Sequence, residues 1–151
     1  MGRINASSAH LMDEHLRLIF REEFPLDDLT PRAVRRRIAS FEPLLGDATS
    51  AIQLAASEVS TVFAREREPD SLIVFRLLGT DHLFRVEISN SLSEDYLLLI
   101  DDGGERFLRR HVLDDATNSW GVMGNGSAVV WFEKSHKVAP LENTSAGDPA
   151  P

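Results

Sequence analysis

Polar and apolar residues alternate from His15 to Glu22, with Leu16, Leu18 and Phe20 on one face and Arg17, Ile19 and Arg21 on the other. That period of two predicts a half-buried strand, ended by Pro25 and the Asp27-Asp28 pair. The period then changes. Thr30 suits a helix N-cap and Pro31 the first helical position, and Val34, Ile38, Phe41 and Leu45 recur at helical spacing as one apolar stripe. Arg32, Arg35 and Arg36 fall largely off that stripe, and Pro43 predicts that the helix stops just before it. Gly46-Asp47 breaks the chain, and Asp47 is placed to cap a second helix with the stripe Ile52, Ala55, Val59 and Phe63. Leu54, Ala56 and Val62 widen the stripe to most of the circumference, so this helix is expected at the centre.

After the charged run Arg65-Glu66-Arg67-Glu68 and Pro69, the segment from Ser71 to Leu78 is nearly continuously apolar, like a strand covered on both faces. Gly79-Thr80-Asp81 reads as a turn into a second strand, where Phe84, Val86 and Ile88 alternate with Arg85 and Glu87. Ser89 to Glu94 reads as loop, Tyr96 to Ile100 as strand or buried loop, and Asp101-Asp102-Gly103-Gly104 as turn. Glu105 to Thr117 carries a helical stripe of Leu108, Val112 and Ala116. Trp120–Met123 and Ser127–Glu133 flank Gly124-Asn125-Gly126, a strong hairpin signal. Residues 1–14 lack periodicity and are expected to be flexible, and residues 135–151, with Pro140, Pro149 and Pro151, to be disordered. The order β-α-α-β-β-loop-α-β-β over residues 15–134 predicts one α+β domain. It would be a two-layer sandwich of a mixed, mostly antiparallel sheet with its helices on one face.

Composition narrows the function. The 151 residues are 42% apolar and 26% charged, an ordinary globular balance. Sixteen Lys+Arg against 24 Asp+Glu give a net charge of −8, which argues against nucleic-acid and anionic-membrane binding. The absence of cysteine removes disulfides, thiol catalysis and thiolate metal sites. No apolar run approaches the ~18 residues of a membrane span, and no basic start followed by an apolar stretch marks a signal peptide. A cytoplasmic chain is therefore expected. His10, His15, His82, His111 and His136 show no metal-ligand spacing, although Asp114 and Asp115 lie one turn from His111. Neither a nucleophile elbow nor a P-loop occurs.

Two stretches carry a resemblance. Leu54-Ala55-Ala56-Ser57-Glu58-Val59-Ser60-Thr61-Val62 is similar to the helix motif L-x-x-S-E-[LV]-x-T-N of the GHKL ATPase superfamily, the Bergerat fold. Ser119-Trp120-Gly121-Val122, Gly124-Asn125-Gly126 and Val129-Val130-Trp131-Phe132-Glu133 resemble its closing hairpin, and Phe84 to Asn90 sits where that family has a strand ending in Asp. Within the superfamily the chain looks most like bacterial anti-sigma-factor serine kinases and their short ATP-binding relatives. The resemblance makes Glu58 the match to a general base. Val62 stands at the position of the magnesium-binding Asn and has no ligand atom, whereas magnesium needs oxygen ligands. Asn90 stands at the position of the adenine-reading Asp and offers a carbonyl without charge assistance. Gly103 and Gly104 lie near the expected glycine box without its G-x-G spacing, and Asp101 and Asp102 beside them would repel phosphate. Together these departures imply a vestigial nucleotide site and no cofactor. ATP with magnesium enters only under the alternative of an active serine/threonine kinase.

Glu58 itself has two readings: a half-desolvated base with a raised pKa between Leu54 and Val62, or a rim carboxylate paired with an arginine, which is favoured. The resembled kinases act on protein partners. The resemblance therefore implies a regulatory module that holds a sigma factor or the antagonist that frees it, with a homodimer as a further expectation. Its contact surface would comprise the strand 15–22 and the helix 31–42, with Arg32, Arg35, Arg36 and Arg37 as a cationic patch. Arg109-Arg110 is a second pair able to meet an acidic partner. Trp120 and Trp131 suit either a cross-strand pair or core packing, with packing favoured.

Overall fold

A computed structural model describes residues 16–65, 70–90, 109–124 and 127–136. In chain order these form β1 (Arg17–Pro25), α1 (Thr30–Ala39), α2 (Glu42–Leu45), a 3-10 turn (Gly46–Ala48), α3 (Thr49–Arg65), β2 (Leu72–Gly79), β3 (Leu83–Asn90), α4 (Arg110–Ala116), β4 (Ser119–Gly124) and β5 (Ala128–Ser135). The strands make a five-stranded sheet in the order β1-β2-β3-β5-β4, and every pairing described is antiparallel. The helices pack on one face, which makes a two-layer α+β sandwich.

Alternation along the strands builds the core. Ile73, Phe75 and Leu77 of β2, Phe84, Val86 and Ile88 of β3 and Val130 and Phe132 of β5 all point into the helix layer and are buried. They meet Val34 and Ile38 of α1, the stripe Ile52, Ala55, Val59 and Phe63 of α3, and Leu113 of α4. At about 25 cal/mol per Å² of apolar area, this shared cluster is the main stabilising term. The opposite face carries a polar lattice. Arg76 bonds Glu87 across the β2–β3 pair. Arg85 donates to Glu87 at 2.9 Å and to Glu133 at 2.8 Å, and its guanidinium lies 4.5 Å from the Trp131 ring centre. Trp120 lies in the helix-side core and Trp131 on this other face, so the two tryptophans do not pair: Trp120 stands opposite Phe132 and Trp131 opposite Gly121.

Several expectations need correction. The alternation read for 15–22 fails because the register slips between Leu18 and Phe20. The bulge leaves Leu18 53% exposed, while Ile19 and Phe20 both turn to the core. Phe20 then stacks on Phe41 with ring centres 4.4 Å apart. Thr30 is not the cap of α1: Leu29 holds that position with no side-chain cap bond. The Thr30 hydroxyl instead donates to the Pro25 carbonyl at 2.7 Å and accepts from the Asp27 amide at 2.8 Å, pinning the turn after β1. Asp47 lies in the 3-10 turn, whose first residue, Gly46, has φ +56. Leu54 is 51% exposed rather than part of the stripe. Leu113, not Val112, is the buried residue of that turn of α4. Strand β3 runs through Ser89 to Asn90, where loop was expected. The readings for 1–14, Tyr96–Ile100, Asp101–Gly104 and Leu108, and for 137–151 within the tail, lie outside the described residues.

Candidate functional site

Glu58 sits on the inner side of α3 and is 6% exposed. A carboxylate at that depth needs partners, and Arg109 supplies them. Its Nε and one terminal nitrogen donate to Oε1 at 2.9 and 2.7 Å, and its backbone amide donates to Oε2 at 2.9 Å. Arg109 is the residue before α4, so Glu58 takes the place of the side-chain cap that α4 lacks. The Arg109 side chain is itself 60% exposed. Its guanidinium pKa is held above the ordinary arginine value, first by the hydrogen bond to Glu58 and then by that carboxylate's charge.

Val62, one turn beyond Glu58, is buried in the apolar cluster. Asn90 is buried at the end of β3, opposite Ile73 of β2 and Ala128 of β5. Its amide nitrogen donates to the Leu72 carbonyl at 2.9 Å. Gly103 and Gly104 lie outside the described residues. The described donor set does not fit a magnesium-bound triphosphate. Val62 has no oxygen to offer a magnesium ion, Arg109 donates three hydrogen bonds to Glu58, and the Asn90 amide nitrogen is turned to its own sheet.

The arginines of α1 divide into two kinds. Arg35 donates to the Ser57 hydroxyl at 2.8 Å. Arg37 donates to Glu22 of β1 at 2.6 Å, and its guanidinium lies about 5 Å from the ring centres of Phe20 and Phe41. These two fasten α1 to its neighbours. Arg32 and Arg36 are exposed and make no side-chain hydrogen bond or ion pair among the described residues. All four arginines are exposed, and among the described residues only Arg37 is paired with a carboxylate. A groove of about 290 Å³ runs beside it between β1 and α1, lined by Glu22, Phe24, Ala33, Arg36, Arg37 and Ser40.

A larger cleft of about 730 Å³ lies at the other end of the β2–β3 hairpin, where Ile19, Leu44, Thr80, His82, Phe84 and His136 meet. Leu16, Arg17 and Ile19 of the strand expected in the contact surface line it, as do His82 and His136, but none of the expected nucleotide-site residues or α1 arginines does. Among the described residues no group of three histidine, aspartate or glutamate side chains is placed to hold a metal ion. Asp114, one turn from His111, accepts instead from the Trp120 indole at 2.8 Å. No helix in the described residues is long and apolar enough to cross a membrane.

Sequence reasoning did not pair Glu58 with Arg109. The signal available was a carboxylate buried on an apolar helix, which demands a cation, but Arg109 stands 51 residues away.

No family model matches the chain, and neither does any curated protein. Among solved structures, a chain of the SiaB-SiaC complex from Pseudomonas aeruginosa is similar at 8% sequence identity and a TM-score of 0.54. The match covers 90% of this chain and 100% of that one. At such identity the likeness is one of fold.

Proposed function

We propose that the protein is a regulatory module that works by binding another protein, a sigma factor or the antagonist that releases one, and that it turns over no nucleotide. The observation that carries this reading is the engagement of Glu58. A general base needs an acceptor site aimed at the proton it removes, and three hydrogen bonds from Arg109 engage the Glu58 carboxylate in a structural role instead. Val62 and Asn90 point the same way, since each replaces a ligand group of the resembled ATPases with one that serves the chain's own packing. The partner side of the reading is supported by the resemblance to anti-sigma-factor kinases. It is supported also by the fold shared with a chain solved inside a two-protein complex. In this reading the protein has no resident cofactor.

Affinity capture from the native cell, followed by mass spectrometry, tests the partner. Recovery of a sigma factor or a sigma-factor antagonist is the expected result, and recovery of metabolic enzymes alone overturns it. Calorimetric titration with ATP and magnesium tests the other half. Each lost charge-assisted bond is worth roughly 1.5–3 kcal/mol, so two lost bonds place the dissociation constant near millimolar rather than micromolar. A low-micromolar value, or phosphoryl transfer to the captured partner that Glu58→Gln abolishes, would establish the kinase instead.

A further inference from the structure

We infer that the groove between β1 and α1 receives a short, extended, acidic segment of the partner, which adds to the sheet as a sixth strand beside β1. This rests on the protein-binding reading above and specifies its chemistry. Among the described residues β1 is an edge strand. The phase of its backbone follows from one bond. The Leu26 amide donates to the Ser71 carbonyl at 3.0 Å, so Phe24 and Glu22, two and four residues back, also turn their backbone groups toward β2. Arg21, Glu23 and Pro25 then turn theirs away from the sheet. Pro25 fits that phase because it has no amide hydrogen to leave unpaired. The open edge thus offers the amides and carbonyls of Arg21 and Glu23 and the carbonyl of Pro25. The bulge between Leu18 and Phe20 closes one end of this window and Pro25 the other, which limits the guest to a few residues.

Charge selects the guest. On β1 the acidic side chains are already compensated, Glu23 by Arg21 at 3.0 Å and Glu22 by Arg37 at 2.6 Å. On α1, Arg32, Arg35 and Arg36 face no carboxylate among the described residues, and Arg36 lines the groove with Arg32 one turn before it on the same helix face. The groove holds about 290 Å³, and its apolar lining is Phe24 and Ala33. An added strand sends alternate side chains toward the helix layer. Those side chains meet an apolar floor walled by Arg36, which suits a segment that places a carboxylate on that side.

The probe is a short capped peptide alternating valine and glutamate, labelled at one end and titrated into the whole protein by fluorescence anisotropy. We expect saturable binding, weakened roughly tenfold by Arg32→Glu with Arg36→Glu, with the amide signals of Arg21 and Glu23 shifting in the nuclear magnetic resonance spectrum. The variant's circular dichroism should match the parent's, because neither arginine has a partner to lose. Two control peptides sharpen the test. A lysine-for-glutamate peptide that binds equally well overturns the charge argument, and a backbone-methylated peptide that binds equally well overturns strand addition. Self-association of the protein that blocks the peptide would make a second copy the occupant and overturn the acidic guest. A captured sigma factor or antagonist that ignores the two substitutions sinks this inference and leaves the proposed function standing. Peptide binding with no such partner captured does the reverse.

Discussion

Arg109 holds Glu58 from two sides, its guanidinium on one carboxylate oxygen and its own backbone amide on the other. The first contact neutralises a buried charge, and the second satisfies a backbone donor at the start of a seven-residue helix. One side chain of α3 therefore fixes where α4 begins.

Replacing Glu58 with alanine should cost about 1–2 kcal/mol, the lower part of the range for charge-assisted bonds because Arg109 is largely solvated. Urea unfolding gives the total. Amide exchange gives the location: protection should fall in α4 and persist in α1. Equal loss in both helices would mean that the pair supports the whole core and not the start of α4.

The Arg109 shift also sets a pH dependence. Its folded pKa is raised, so its contribution is complete at all pH below the ordinary arginine range and is lost only as pH climbs through the raised folded value. The stability gap between the parent and Glu58→Gln should therefore stay flat from neutrality to about pH 10. A gap that closes between pH 7 and 9 would point to a different titrating group.

On the other face of the sheet, Arg85 is 2% exposed and divides its hydrogen bonds between Glu87 and Glu133. Arg85→Met leaves Glu133 buried beside an apolar chain and should cost about 3–5 kcal/mol. Adding Glu133→Leu removes the stranded charge, so the double variant should be more stable than the single one. Thermal melts of the parent, Arg85→Met, Glu133→Leu and the double variant decide it. A double variant as unstable as the sum of its parts would show that the two residues act independently.

Gly121 leaves room for an aromatic ring. A Cβ there would lie 2.8 Å from Cζ2 of Trp131 and 2.9 Å from its Nε1. Gly121→Ala should destabilise by about 1–3 kcal/mol as overpacking, and Trp131→Phe in the same chain should relieve part of it. Tryptophan fluorescence of Gly121→Ala should report the displaced indole.

The hydrophobic periods located the elements because each buries one continuous stripe: Ile52, Ala55, Val59 and Phe63 define α3 with no help from distant chain. Turn residues placed both hairpins equally well. What the pattern missed was decided by tertiary partners. A bulge turned Leu18 outward against its alternation. The Thr30 hydroxyl donates to the Pro25 carbonyl and accepts from the Asp27 amide instead of accepting from the first turn of α1. The arginine patch looked uniform in sequence, yet whether an arginine is free depends on Ser57, Glu22 and two phenyl rings, which the sequence does not place beside it. The local pattern reads Glu58 as a rim carboxylate paired with an arginine, but it is buried, and its arginine lies 51 residues along the chain, where that pattern cannot place it.

The join between β3 and β5 has a consequence of another kind. Among the described residues, those up to Asn90 form β1, the first three helices and the β2–β3 hairpin, and those from Arg109 onward form α4 and the last hairpin. The β3–β5 ladder, the Glu58–Arg109 pair and the Arg85–Glu133 pair all cross that one seam. A chain severed between the two parts keeps the described contacts within each part. The two fragments, expressed separately and mixed, should find each other along β3 and restore the sheet. Their affinity would then measure the seam directly, in a dissociation constant instead of an unfolding curve.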